Sequence, residues 1–356
     1  MNPLLTVAII NWNAEEYIVD CIQSVLDSDY PNTEILLIDN ASTDSSMKKV
    51  RSAFPELKLG NVRIIENSHN NGCPYAENQA ISLANGKYLT ILCSDTKIKK
   101  NCLSELVKTM ESDSSIGAVG AKVLQMRNPW ILDTAGEYLT QYGLLIQRHA
   151  GQELDKGQFD YQTDIFAIKG TALTARTDVL RNIGGFPKDY FMFLEETDTC
   201  WRIWLSGYRI VFVPSAVIYH ATSTSIDKHP RKEWLVKYYG TRNYIYTLIK
   251  NYGTYNALRI VPLNMLLWLG IAAYMACGGR IISAWYVVCG VFWNIFHLPR
   301  VLRSRYNSQI VRTYICNQRI FSRPKHKRLM IYDKDIMPKI MKKVSIIELA
   351  CKALDW

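Results

Sequence analysis

The chain has 356 residues, 48% hydrophobic and 21% charged, which excludes disorder as its main state. Its mean hydropathy of −0.06 argues against a polytopic membrane protein. The net charge of +10 is unevenly divided: residues 1–227 carry 20 Lys+Arg against 27 Asp+Glu, and residues 228–356 carry 22 against 5. An acidic body therefore precedes a basic tail, and the molecule is not uniformly cationic.

Strand and helix signals alternate over the first hundred residues. Leu4–Ile10 is a short apolar run, and Glu15–Leu26 has helical spacing through Tyr17, Cys21 and Val25. Glu34–Ile38 is apolar and ends in Asp39-Asn40; Ser42–Ala53 predicts a helix, Asn61–Ile65 a strand and Ala76–Ala84 a helix. Lys87–Leu92 is a further strand, ending in Ser94-Asp95. Strands separated by helices imply an α/β fold with right-handed crossovers and a parallel sheet. Ligands of such sheets lie beyond the carboxyl ends of the strands, where Asn11-Trp12-Asn13, Asp39-Asn40 and Ser94-Asp95 fall. Residues 125–165 show weak periodicity. Phe166–Arg176 predicts a strand, Asp178–Ile183 and Glu195–Ser206 predict helices, and Arg209–Pro214 a strand.

From about residue 228 the composition changes. Residues 260–279 and 281–299 are uncharged stretches flanked by Arg259, Arg280 and Arg300. They predict a helical hairpin (about 260–299) that dips into a membrane or lies in its interface, with both ends cytoplasmic. A buried hairpin packed on the soluble domain is the alternative. Ile336, Ile340, Val344, Ile347, Cys351 and Leu354 share a helical face, with lysines largely off it. That pattern predicts a basic amphipathic helix (about 336–354) for an anionic bilayer surface. Arg319–Arg328 lacks the context of a nucleic-acid reader, so no nucleic-acid partner is expected. Nine scattered cysteines with no CxxC pair fit a reducing compartment, and Met1–Trp12 does not have the features of a signal peptide.

Several residue types at the strand ends suit a nucleotide. Trp12 can stack on a base, and Asp39 can accept from a base N–H. Asn70-Asn71-Gly72 with Asn78 supplies a tight turn and amide donors at a helix start. Asp95 is placed to hold a divalent cation bridging two phosphates, with a helix N-cap as the competing reading. Glu195, Glu196 and Asp198 put three carboxylates in four residues, next to Phe191, Phe193 and Leu194. Crowding and partial burial would raise one of them towards the range of a general base. His220 follows an apolar run and is a candidate ligand to the same cation.

The ordered set Val7–Asn13, Ile38–Asp44, Asn71-Gly72…Asn78, Leu92–Thr96, Gly184–Phe186, Glu195–Asp198 and Pro214…His220 resembles the family 2 glycosyltransferases, nearest in flavour to the rhamnosyltransferase-like branch. The likeness runs from about Thr6 to Ser225 and extends weakly to Tyr238–Asn243. It implies a GT-A fold in residues 1–227, a Rossmann-like mixed sheet flanked by helices, with a helical membrane-associated region in 228–356. It implies an inverting enzyme that takes a nucleotide-diphosphate sugar and a divalent cation, Mg²⁺ or Mn²⁺. By this likeness Asn11, Trp12, Asp39, Asn71, Asn78 and Ser94 would bind the donor. Asp95 and His220 would hold the metal. Glu196 would be the base, with Glu195 and Asp198 beside it. The sequence departs from the usual pattern in Cys93-Ser94 before Asp95, in Cys73-Pro74-Tyr75 after Gly72, and in Glu at 196. The expected partners are a lipid-linked glycan acceptor and an anionic membrane surface at the cytoplasmic face, with homo-oligomerisation left open. A polyprenyl-phosphate sugar synthase and a non-catalytic nucleotide-binding scaffold are the alternatives.

Overall fold

The computed structural model describes residues 2–55, 62–148, 152–221 and 231–308, and the backbone of 341–342. A mixed sheet forms the centre. Strands β1 (Leu5–Asn11), β2 (Thr33–Asp39), β3 (Val62–Glu66) and β4 (Tyr88–Cys93) are mutually parallel, ordered β4-β1-β2-β3. Their connections are α1 (Ile18–Leu26), α2 (Ser46–Ala53) and α3 (Cys73–Leu83). β1 reads LTVAIIN and β2 TEILLID, continuous apolar runs of the kind that a sheet covered on both faces requires. One face is filled by α1 through Ile18 and Ile22, and by α4 (Cys102–Ser112) through Leu103 and Leu106. The other is filled by α3, α5 (Thr177–Asn182) and α6 (Glu195–Leu205), whose Ala80, Leu180, Trp201 and Trp204 meet Phe166 and Phe212.

Beyond β4 the sheet loses its parallel character. A short β5 (Thr96–Ile98) pairs with β12 (Arg209–His220), which runs parallel to β6 (Ile116–Gln125). β11 (Ala172–Arg176) lies antiparallel between β6 and β4. The weakly periodic middle region builds four short strands: β7 (Leu132–Thr134), β8 (Glu137–Thr140), β9 (Leu145–Gln147) and β10 (Thr163–Asp164). The long strand expected over Phe166–Arg176 is confined to β11. In its first half Trp204 Nε1 donates to the carbonyls of Ile165 and Phe166 (3.2 and 3.0 Å), and those atoms anchor α6.

After residue 231, helical turns Lys232–Trp234 and Leu235–Tyr239, the latter π-type, lead into α7 (Gly240–Asn251). α8 (Thr254–Cys277) and α9 (Ile281–Phe296) form the expected hairpin, and α10 (Leu298–Ser308) bends from α9 by 70°. Among the described residues α8 alone is long and apolar enough to cross a membrane, or two segments are if α9 and α10 count as one. The hairpin turns its polar residues inwards. Asn264 Nδ2 donates to the Tyr142 carbonyl (2.7 Å) and Asn294 Nδ2 to the Arg242 carbonyl (3.0 Å). Leu258, Leu266, Ile281, Ile282, Trp285 and Phe296 are all more than 60% exposed. The expected boundary at 227/228 lies outside the described residues. So does most of the helix expected over 336–354. Residues 341–342 are instead a two-residue strand beside β8, where backbone pairing replaces the helical turn.

Candidate active site

β1, β2 and β4 end side by side, so their terminal polar residues converge. Asn11 Nδ2 donates to Asp39 Oδ1 at 2.7 Å, and Ser42 donates to Asp39 from both Oγ (2.6 Å) and its backbone N–H (3.0 Å). Asn11 and Asp39 are buried, and Trp12 is half-buried at the mouth of this network. Asp39 thus fixes the loop after β2 as well as lying at the end of its strand. Ser94 is buried, and its backbone N–H bridges to the Ile10 carbonyl (3.1 Å). Asn71 is exposed. Asn78 faces away from this pocket: its amide donates to the Phe186 carbonyl (3.1 Å) and accepts from the Phe186 N–H (2.9 Å). It locks the Gly184–Phe186 turn, where Gly185 has φ +69 and any Cβ would lie 2.2 Å from Asn78 Oδ1.

Asp95 and His220 meet across the β5–β12 pairing. His220 Nε2 lies 3.5 Å from Asp95 Oδ1, and its Nδ1 lies 2.8 Å from Asp133 Oδ2. Burial disfavours the charged ring, but Asp133 and Asp95 outweigh it and raise its pKa to about 9. Lys169 Nζ reaches Asp133 at 3.4 Å. This donor set of a carboxylate oxygen and an imidazole nitrogen suits a hard divalent cation. The Asp133 contact to Nδ1 aims Nε2 at Asp95, the outer support that metal-binding histidines usually have. Sequence reasoning missed Asp133 and Lys169, which lie in the weakly periodic middle region.

The acidic run at 195–198 divides in two. Asp198 is fully buried and does not face the cleft. Its oxygens take bonds from Arg202 Nε, Lys250 Nζ and Asn251 Nδ2, all at 2.8 Å. Burial opposes its charge, but Lys250 and Arg202 more than compensate and hold the carboxyl below the usual range. Glu196 is part-exposed, and burial raises its pKa to about 7; Glu137 adds to the shift, while a backbone N–H and Lys169 oppose it. Glu195 is buried, and burial and Glu196 push it well above its ordinary value. Phe193 (φ 69) and Leu194 (φ 66) present these two acids from a left-handed turn. Such a conformation persists only where surrounding contacts hold it. Asn243 Nδ2 supplies them by donating to the Met192 and Phe193 carbonyls (2.8 and 3.0 Å).

The two halves are joined through Cys93 and Gly170. Cys93, two residues before Asp95, donates from Sγ to the Gly170 carbonyl (3.1 Å), and a Cβ on Gly170 would fall 1.6 Å from Glu196 Oε1. Asp95 and Glu196 both act on the half-buried Cys93 thiol, after loss of solvent itself, to raise its pKa. The base candidate therefore abuts the strand that ends in the cation candidate. Glu77 on α3, also missed by sequence reasoning, completes a group with Glu195 and Glu196 whose carboxylate oxygens lie within 4.8 Å of one another.

Residues 6–177 match the model of glycosyl transferase family 2. That match covers 172 of the 356 residues of the chain, just under half. The chain's α/β architecture is the GT-A fold. The mannosyltransferase PcManGT from Pyrobaculum calidifontis, solved with GDP-Man and Mn²⁺, aligns over 91% of this chain and 89% of its own, with a TM-score of 0.53 and 18% identity. Glycosyltransferase GlyG of Streptococcus pneumoniae is 32% identical over 34% of this chain and 39% of its own length. A Methanococcus voltae protein, dolichyl N-acetyl-alpha-D-glucosaminyl phosphate 3-beta-D-2,3-diacetamido-2,3-dideoxy-beta-D-glucuronosyltransferase, is 21% identical over 74% of this chain and 79% of its own. The chain spans about two fifths of the length of the first curated relatives it matches. The family match ends at residue 177, so Glu195, Glu196 and His220 lie outside it.

Proposed function

We propose that the protein is an inverting, metal-assisted glycosyltransferase at the cytoplasmic face of a membrane. It moves one sugar from a nucleoside-diphosphate sugar to a hydroxyl of a lipid-linked or surface glycan. The observation that supports this reading is the Cys93–Gly170 bond, which sets the part-exposed carboxylate of Glu196 beside the strand leading to the Asp95–His220 pair. Trp12, Asn11 and Asp39, with the loop after β2, form the wall for the base. Ser94, Asn71 and the turn that Asn78 braces border the sugar and diphosphate.

The reaction proceeds as follows. Glu196 accepts the proton of the acceptor hydroxyl. The acceptor oxygen forms a bond to the anomeric carbon while the bond from that carbon to the phosphate oxygen breaks. The leaving nucleoside diphosphate keeps the electron pair, and the anomeric centre inverts. A divalent cation bound by Asp95 and His220 would neutralise the charge developing on that diphosphate. Asp133 holds the His220 ring in register, Lys169 adds positive charge beside it, and Asp198 ties α6 to α7 so that Glu196 keeps its place.

The exposed apolar face of the hairpin supports membrane association, because Asn264 and Asn294 turn to the protein while Leu258, Leu266, Ile281, Ile282 and Trp285 turn outwards. The name of the Methanococcus voltae relative carries a dolichyl-linked sugar phosphate, in keeping with a lipid-linked acceptor. The test is a panel of UDP-, GDP- and dTDP-sugars with Mn²⁺, the dTDP series representing the rhamnosyltransferase-like resemblance. One donor should raise the melting temperature and turn over with a polyprenyl-linked acceptor. Asp95→Ala should abolish the response to Mn²⁺. A chain that binds no donor, or an Asp95→Ala variant with unchanged turnover in EDTA, would overturn the proposal.

A further inference from the structure

Behind Glu196 lie two carboxyl groups to which the proposed reaction gives no task. Glu77 is 5% exposed and Glu195 3%, and each has one carboxyl oxygen, Oε2, with no hydrogen-bond partner. Two contacts press α3 against the start of α6. Gly72 (φ +90) approaches Phe191 so closely that a Cβ would lie 2.3 Å from its carbonyl oxygen, and the Cys73 N–H donates to that same oxygen (2.8 Å). Asn78 fixes the other end through Phe186. The fold thereby forces Glu77, Glu195 and Glu196 to within 4.8 Å of one another.

The groups facing this cluster are few. Cys73 and Cys93 are half-buried thiols pushed up by loss of solvent, hence uncharged. Glu137 and Lys169 act on Glu196, and Lys169 is drawn towards Asp133. Among the described residues no cation lies within ion-pair distance of Glu77 or Glu195. A carboxylate buried without a counter-charge is too costly to keep, and the usual escape is to bind a proton. Burial and the neighbouring glutamates push both groups well above the ordinary carboxylate range.

We infer that Glu77 and Glu195 are neutral carboxylic acids at neutral pH, a proton-bearing pair packed behind Glu196 that leaves Glu196 as the one member of the cluster able to accept the acceptor's proton. Glu77 is thus a positioning residue of the base, and Glu195 is not an alternative base. The inference rests on the proposed function for its catalytic meaning, but its test needs neither donor nor acceptor.

The pair has a thermodynamic signature. A group neutral in the folded chain ionises once unfolded above about pH 4.3. Its contribution to stability is full below that value and is lost as pH rises, tenfold in the folding equilibrium per pH unit for each group, up to its folded pKa. Glu77→Gln, which mimics the neutral acid, should therefore raise the melting temperature relative to the parent, and by more at pH 8 than at pH 5. In infrared spectra of the full chain at pH 7.5, the protonated-carboxyl band should lose amplitude in Glu77→Gln and again in Glu195→Gln. A melting-temperature difference that does not vary with pH, or a band that both variants leave intact, would overturn the inference. So would loss of the band on adding Mn²⁺ to Asp95→Ala, since a cation would then occupy the cluster. If these results hold while no donor turns over, the reaction proposal fails and the pair stands.

Discussion

Glu196 and Asp198 are two residues apart on one helical turn, yet they live in opposite electrostatic worlds. Asp198 is sealed, met by Arg202, Lys250 and Asn251, and ionised below the usual range. Glu196 has only a backbone N–H and Lys169 to favour its charge, burial outweighs them, and its pKa rises to about 7. Helical periodicity produces the division. Asp198 points to α7 with Arg202 one turn on, whereas Glu196 points to Gly170. A run of acids is thus not one functional unit; compensation, residue by residue, separates the structural acid from the proposed base.

The contrast can be broken at its reactive end first. Glu196→Gln should lower transfer by about 10²–10⁴-fold, the usual worth of a general base, while donor-induced thermal stabilisation persists. In the parent, turnover should rise with pH through about 7 as Glu196 loses its proton; a rate flat between pH 5.5 and 8.5 would move the base elsewhere. At the structural end, Asp198→Ala strands Arg202 and Lys250 in the interior and should cost about 3–5 kcal/mol in denaturant unfolding. A cost below about 1 kcal/mol would mean that the pair is screened. Gly170→Ala sharpens the division: the added Cβ collides with the Glu196 carboxylate, the movable end of a side chain. Turnover should fall about 10²-fold with little loss of stability. The smallest effect concerns the hairpin. Ile282→Ser with Trp285→Ser should weaken sedimentation with anionic vesicles about tenfold, and leave the melting temperature near that of the parent.

Much of the catalytic half was legible because strand and helix periods are local. The seven elements from β1 to β4 fall within a few residues of their expected places, and Asn11, Asp39 and Asp95 come at strand ends as βα geometry requires. What escaped was set by tertiary contact. Nothing in Cys73–Leu83 marks Glu77 as a neighbour of Glu195, because the Gly72–Phe191 approach that joins them spans 119 positions. Asp133 and Lys169 sit among strands of two to four residues, too short for alternation to emerge. Asp198 was placed beside the base because spacing gives proximity along the chain but not the direction a side chain takes. The hairpin's asparagines dilute its apolar character in a linear scan, and only packing shows that they leave the outer face apolar.

That inward polarity bears on how the protein can be handled. Asn264 and Asn294 bond carbonyls of the α/β body and of α7, while Arg300 on α10 holds Asp189. The apolar region is built into the protein's own framework and is not a detachable tether. Cutting the chain after α7 would strip partners from Tyr142, Arg242 and Asp189. Substituting the outer leucines and isoleucines, with both helices kept, is the change that leaves these bonds in place.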